Sequence, residues 1–308
     1  MKTANNIFKN KTILITGGTG SIGSELVRQL MGYKPQQIRV YARGEFKHFL
    51  LKNKLGDSCK NVEFIIGDIR DISRLSKVIK DCDLIFHTAA MKHVSYCERY
   101  PLEAIKTNIL GSQNVFDLSI GYKVKRVIGI STDKAANPTT MMGATKLVME
   151  KLFTSAYTGW QNVQTRFAIV RFGNILNSNG SVIPLWMDQI NSGFDISLTD
   201  KRMRRYLMEV SDAAQRVLLA TQVTKGREIF VVKMQEKSIY ELAQKIIAKH
   251  GKGKNISIRI IGKRYGEKLH EELLTDEEKT RMIEAKNFYI VLPNKQIINK
   301  RRNSYKDL

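Results

Sequence analysis

Thr12-Ile13-Leu14-Ile15-Thr16-Gly17-Gly18-Thr19-Gly20-Ser21-Ile22-Gly23-Ser24-Glu25-Leu26-Val27-Arg28-Gln29-Leu30 reads as a strand, a glycine loop and a helix in one run. The glycines have separate tasks. Gly17 and Gly20 permit a tight turn and let the backbone approach a ligand, while Gly23 lets the helix lie close to the strand. A pyrophosphate held there would meet the free N–H groups and positive end of the helix. A glycine triplet alone is a weak signal. Set after the first strand and before a helix, it points to dinucleotide binding.

Outward from this stretch, short β-branched runs alternate with amphipathic helices. Strands are expected at Thr12–Thr16, Gln37–Tyr41, Val62–Ile66, Leu84–His87, Arg126–Ser131 and Thr165–Arg171. That alternation predicts an α/β fold with a doubly wound parallel sheet. It weakens after about Asn174. There follow a loop rich in Asn, Ser and Gly (177–181), a basic run from Lys201 to Arg205, a strand at Ile229–Lys233 and a helix opening with Ser238 and Glu241, a Ser-x-x-Glu capping signal. The expected organisation is a dinucleotide-binding part over 1–178 and 206–236 and a smaller substrate part over 179–205 and 237–295. A basic tail, 296–308, carries Lys300, Arg301, Arg302 and Lys306 and would be weakly attracted to a membrane surface.

Composition agrees with a folded enzyme-sized chain. Its 308 residues are 43% hydrophobic and 26% charged, with no repeat or low-complexity tract. No apolar run approaches the ~18 residues of a membrane span. The opening Met1-Lys2-Thr3-Ala4-Asn5-Asn6 leaves no room for a secretory signal before the first strand. Cys59, Cys82 and Cys97 form no CxxC pair and read as reduced thiols, so a cytoplasmic location is expected and no metal site is. Fifty-one Lys and Arg against 29 Asp and Glu give a net charge of +22. That surplus attracts polyanions without selecting one, and no nucleic-acid motif accompanies it.

The second strand bears on which dinucleotide binds. It ends Tyr41-Ala42-Arg43-Gly44-Glu45-Phe46-Lys47, with Arg43 where an NAD site usually carries a carboxylate. A guanidinium suits a ribose 2′-phosphate, which favours NADP over NAD, although Glu45 keeps NAD open. Asp68, in Gly67-Asp68-Ile69-Arg70-Asp71, stands where it could meet an adenine amino group. Alternatively Asp68 or Asp71 caps a helix.

Five motifs occur in order: TGGTGSIG at 16–23, HTAAMKHV at 87–94, TNILG at 107–111, STDKAANP at 131–138 and GATK at 143–146. Together they resemble the extended short-chain dehydrogenase/reductase superfamily and, within it, the polysaccharide-biosynthesis (CapD-like) group of UDP-N-acetylglucosamine 4,6-dehydratases. The resemblance runs from about residue 10 to residue 280. By it, the cofactor would lie against Gly17, Thr19, Gly20, Ser21, Ile22, Arg43, Lys47, Asp68, Ile69, Ala89, Ala90, Lys92, Asn108 and Lys146. The partners it implies are UDP-N-acetylglucosamine and further copies of the chain in a homo-oligomer.

A dehydratase of this type moves hydride from sugar C4 to the nicotinamide, eliminates water across C5 and C6, and returns the hydride to C6. Asp133 could protonate the departing C6 hydroxyl and Lys134 take the C5 proton, if burial and mutual influence move both pKa values toward neutrality. Most of the superfamily carries Tyr-x-x-x-Lys; here Met142 precedes Lys146. Methionine has no titratable proton, so the C4 hydroxyl needs Thr132, Ser131, Lys146 or a water. By the resemblance, Met at this position is a variation found within the dehydratase group. It also keeps open a non-enzymatic NADP-sensing role, and a UDP-sugar 4-epimerase is the other alternative. On the substrate side the resemblance assigns Lys92, His93, Asn174, Ser181, Val182, Thr199, Arg205 and Glu272 to the UDP-sugar. Arg204 beside Arg205 would make the pocket more basic. Glu271 is a second candidate for the ribose hydroxyls, and His87 reads as structural.

Overall fold

The computed structural model describes residues 6–155, 164–178, 180–251, 253–305 and 308. Lys306 of the expected tail lies outside them. The strands are β1 (Thr12–Thr16), β2 (Gln37–Ala42), β3 (Val62–Ile66), β4 (Leu84–His87), β5 (Arg126–Thr132), β6 (Arg166–Phe172), β7 (Asn174–Ile175), β8 (Ile196–Leu198), β9 (Arg204–Met208), β10 (Ile229–Val232), β11 (Glu236–Ser238), β12 (Ile258–Ile260), β13 (Met282–Glu284) and β14 (Phe288–Val291).

Among the described residues the main sheet has nine strands in the order β13-β14-β10-β6-β5-β4-β1-β2-β3. From β3 to β10 every pairing is parallel, and β14 then joins β10 antiparallel. Chain order reverses between β1 and β4. Loops diverge at such a switch, so a crevice opens at the carboxyl edge of the strands. All five residues of β1 are buried because helices cover both faces. Ile13 and Ile15 face one core with Leu26, Val27 and Leu30 of the first helix (Ser21–Met31); Leu14 faces the other with Ile85, Val127 and Phe167.

The second part forms its own small core of Trp186, Ile190, Ile196, Leu198, Met203, Ile239 and Ala243. Trp186 is fully buried and donates its indole N–H to the Ser197 carbonyl at 2.7 Å. Ser238 caps the helix Ile239–His250 as the sequence indicates, accepting from the Glu241 amide at 3.2 Å.

Two expectations of organisation are corrected. Residues 282–291 fall within the expected substrate part, yet β13 and β14 extend the main sheet, because Phe288, Ile290 and Val291 complete its core. Of the expected basic tail, residues 296–305 and 308 are described, and they pack onto the fold. Tyr305 and Leu308 are buried, the Tyr305 hydroxyl donates to the buried Glu228 carboxylate at 2.6 Å, and Arg301 pairs with the same carboxylate at 2.7 Å. One buried carboxylate thus holds Arg301 and Tyr305.

Candidate active site

A cleft of about 1170 Å³ opens at the carboxyl edge of β1, β4, β5 and β6 and reaches the second part of the molecule. Its two ends are built differently. At the β1 end the walls are mainly backbone. Gly17 has φ +67°, and a Cβ there would lie 2.6 Å from the Ala89 amide nitrogen; a Cβ on Gly23 would lie 2.6 Å from the Gly17 carbonyl oxygen. The following helix carries no carboxylate in its first turn and no side-chain cap at Gly20. Its positive end is therefore open to an anion. Thr19, Ser21 and Ile22 line this end with Ala89 and Ala90 from the loop after β4. This cradle fits the pyrophosphate of a dinucleotide.

Beneath it, His87 is fully buried. Ser112 donates its hydroxyl to the Asn108 carbonyl, so His87 Nε2 donates to Ser112 (2.9 Å) and Nδ1 accepts from Thr16 (2.8 Å). Burial, with the Lys146 charge second, pushes the imidazole pKa down to about 3. His87 is a neutral strut between β1 and the helix Gly111–Gly121.

Farther out, Arg43, Lys47, Asp68 and Ile69 line the cleft. The Arg43 side chain is 58% exposed and lies 3.9 Å from Asp68. Asp68 also receives Arg70 through two side-chain bonds to one oxygen, at 2.9 and 2.7 Å. The helix cap in this segment is Asp71, which accepts from the Arg74 amide at 2.9 Å.

At the other end the walls are side chains. Side chains of successive strand residues point to opposite faces, so two neighbours can serve one cavity only where the strand ends. β5 ends at Thr132, and Asp133 to Ala135 form a turn of 3-10 helix. The Asp133 side chain is fully buried. Its Oδ1 accepts from Thr132 at 2.9 Å and from Lys134 Nζ at 2.8 Å, while Oδ2 has no partner among the described residues. Lys134 Nζ also lies 3.4 Å from Asn174 Oδ1 and 3.6 Å from Glu271 Oε1. Thr132, Lys134, Asn174 and Glu271 line the cleft; Asp133 stands immediately behind them. Burial alone would push the Lys134 pKa down, but the Asp133 and Glu271 charges outweigh it and raise the value. The expectation that Lys134 moves toward neutrality is corrected: two carboxylates hold it as an ammonium.

The helix Met141–Thr154 carries the replaced motif. Its first amides are held by Glu98 (2.6 Å to the Met141 N–H) and Thr140 (3.2 Å to the Gly143 N–H). Met142 is 5% exposed and packs with Cys97 and Ala104, its remaining surface facing the cleft. Lys146 lies one turn on with Nζ 3.4 Å from Met149 Sδ, and burial pushes its pKa down to about 8 against the pull of Glu150. Glu150 is otherwise committed. With Glu278 it clamps the fully buried Arg171 of β6, at 2.6 and 2.7 Å. No sequence signal singled out this triad, whose members are far apart in the chain.

Of the residues assigned to the sugar, Lys92, His93, Ser181, Val182, Thr199 and Arg205 line the cleft. His93 lies against Gly180, where a Cβ would come within 2.5 Å of the ring. Ser181 Oγ is buried without a partner among the described residues. Arg205 donates to the carbonyls of Arg204, Lys268 and Leu269, so it also fastens residues 268 and 269, just before Glu271, onto β9. Three assignments are corrected. Asn108 does not line the cleft; it is buried and bonds the Met91 amide, the Met91 carbonyl and Thr145, bracing the loop from behind. Glu272 points outward to Asn137 and Lys268, leaving Glu271 as the carboxylate inside. Arg204 pairs with Glu236 at 2.9 Å outside the cleft, because alternation along β9 turns it away from Arg205.

The model of a family described as "Polysaccharide biosynthesis protein" matches residues 13–293. The chain is 44% identical to a Methanocaldococcus jannaschii protein described as an uncharacterized membrane protein, over 94% of this chain and 87% of that one. It is 41% identical to a Campylobacter jejuni UDP-N-acetylglucosamine 4,6-dehydratase (inverting), over 96% and 86%. It is 39% identical to a Rickettsia bellii UDP-glucose 4-epimerase, over 92% and 83%. The X-ray structure of Pen from Bacillus thuringiensis superposes with a TM-score of 0.90 at 41% identity, covering 92% of this chain and 89% of that one. No helix among the described residues is long and apolar enough to cross a membrane.

Proposed function

This chain belongs to the polysaccharide biosynthesis protein family, and on that footing we propose that it converts UDP-N-acetylglucosamine to a UDP-4-keto-6-deoxy-N-acetylhexosamine with NADP as its resident cofactor. The observation that carries the reading is the buried Asp133–Lys134 contact of 2.8 Å at the cleft wall, supported by the dehydratase relative. Epimerisation requires hydride transfer but no acid–base pair for elimination.

The cradle at Gly17, Gly20 and Ser21 would hold the pyrophosphate, and Arg43 and Lys47 the 2′-phosphate. A nicotinamide bound there would supply reversible hydride acceptance. The protein's own groups move the protons. With Met142 in place of a titratable residue, Thr132 takes the C4 hydroxyl proton while passing its own along the 2.9 Å bond to Asp133. Asp133 then gives that proton back through Thr132, which lines the cleft, to the departing C6 hydroxyl, and Lys134 removes and later restores the proton at C5. The C4 hydroxyl proton leaves in the water formed. Arg205, Lys92 and Ser181 are proposed for the UDP portion, with Asn174 beside the sugar.

The chain is further proposed to work in the cytoplasm, in keeping with three unpaired cysteines, and as a homo-oligomer, in keeping with exposed Tyr96, Tyr100 and Leu102 beside the cleft loop. The test is to incubate the purified protein with UDP-N-acetylglucosamine and NADP and follow the nucleotide sugar by mass spectrometry. Loss of one water supports the dehydratase. Unchanged mass with UDP-N-acetylgalactosamine appearing would select the epimerase, the reading that the Rickettsia relative favours.

A further inference from the structure

The proposed dehydration can be counted in protons, and the count does not close on Asp133 and Lys134. As the site rests, Lys134 is an ammonium between two carboxylates, 2.8 Å from Asp133 and 3.6 Å from Glu271. Oxidation at C4 releases one proton, which Thr132 passes to Asp133. The C5 proton must then be accepted while Asp133 still holds the proton destined for the C6 hydroxyl. Lys134, already protonated, has nowhere to put it. A third acceptor is required, and it must touch Lys134 in a place shielded from bulk water.

We infer that Glu271 is a positioning residue for the Lys134 proton, accepting it before elimination and returning it afterwards. The inference rests on the dehydratase reading. Glu271 is 6% exposed, lines the cleft, and is carried to Lys134 by the segment that Arg205 fastens onto β9. The cycle then balances. Asp133 receives the C4 hydroxyl proton; Lys134 passes one proton to Glu271; the neutral amine takes the C5 proton as Asp133 gives its own to the leaving hydroxyl. When hydride returns to C6, Lys134 restores a proton to C5 and Glu271 gives back the one it held. The groups facing Lys134 are Asp133 and Thr132 at the end of β5, Asn174 on β7, Arg205 on β9, and Glu271. Among these, Glu271 is the one carboxylate not already committed to the C4 proton.

The test compares wild type, Glu271→Gln and Glu271→Asp for dehydration rate against pH from 6 to 9, with UDP binding measured by calorimetry. Wild type should be nearly flat across this range. Glu271→Gln keeps the hydrogen-bonding shape but cannot hold the proton, so Lys134 must lose it to solvent. Its rate should fall about 100-fold at pH 7 and climb with pH, about tenfold per unit, with UDP binding retained. Glu271→Asp should restore the flat profile at a reduced rate. A Glu271→Gln enzyme with the wild-type rate and a flat profile would overturn the inference, as would a uniform loss at every pH together with lost UDP binding, which marks a structural role. If wild type itself forms no dehydrated product, the functional reading fails and not the role of Glu271 alone.

Discussion

The two ends of the cleft place ligand-facing groups by opposite means. The pyrophosphate cradle of the dinucleotide end relies on backbone: a left-handed glycine, close contacts that admit no Cβ, and helix N–H groups, within residues 16–23 and 88–90. The sugar end relies on buried charge brought from the end of β5, from β9 and from residue 271, with the neutral Asn174 of β7 beside it. The first is robust to side-chain replacement except at its glycines. The second depends on every charged partner, because an uncompensated charge in a dry site is costly.

The largest effect is expected where the sugar end does its chemistry. Lys134→Ala should reduce dehydration by about 10⁴-fold while UDP still binds, since the base is removed and the nucleotide contacts remain. Undiminished turnover would remove the distinction between the two ends.

Next in size is the frame behind them. Arg171→Ala leaves Glu150 and Glu278 buried without their cation and should cost about 3–5 kcal/mol of stability in denaturant unfolding. The loss should spread to both ends, since this triad ties the Lys146 helix to β6 and to residues 273–278.

At the dinucleotide end, Gly17→Ala introduces a Cβ at a left-handed position and against Ala89, a strain of about 1–3 kcal/mol. Calorimetric titration should show NADP bound about tenfold more weakly or worse, with UDP binding unchanged. Smaller again is Arg43→Ala. Its side chain is mostly exposed, so NADP affinity should fall about fivefold with NAD affinity unaltered. Equal losses for both cofactors would remove Arg43 as the 2′-phosphate contact.

This contrast also explains what the sequence disclosed. Thr12–Thr16 and Leu84–His87 are strands with the bounds read from their apolar runs, because central parallel strands are apolar on both faces, and the half-exposed edge strand Val62–Ile66 also keeps its expected bounds. The glycine loop is contiguous and its chemistry local, so it reads directly. Residues whose role depends on distant partners do not. Nothing in Glu271-Glu272 tells which side chain turns inward; Arg205 and its carbonyl partners decide it. Asn108 stands in a motif that suggests cofactor contact, yet a π-helical turn buries it behind Met91. Strands β13 and β14 read as part of the substrate region because they are short and follow it in sequence, whereas their apolar faces complete the main sheet.

The most direct test of the central claim is to run the reaction in deuterated water and read the product by proton NMR. Elimination through Lys134 exposes the C5 proton to exchange, so the account predicts loss of one water together with deuterium at C5. A product that keeps its water and its C5 proton would contradict it.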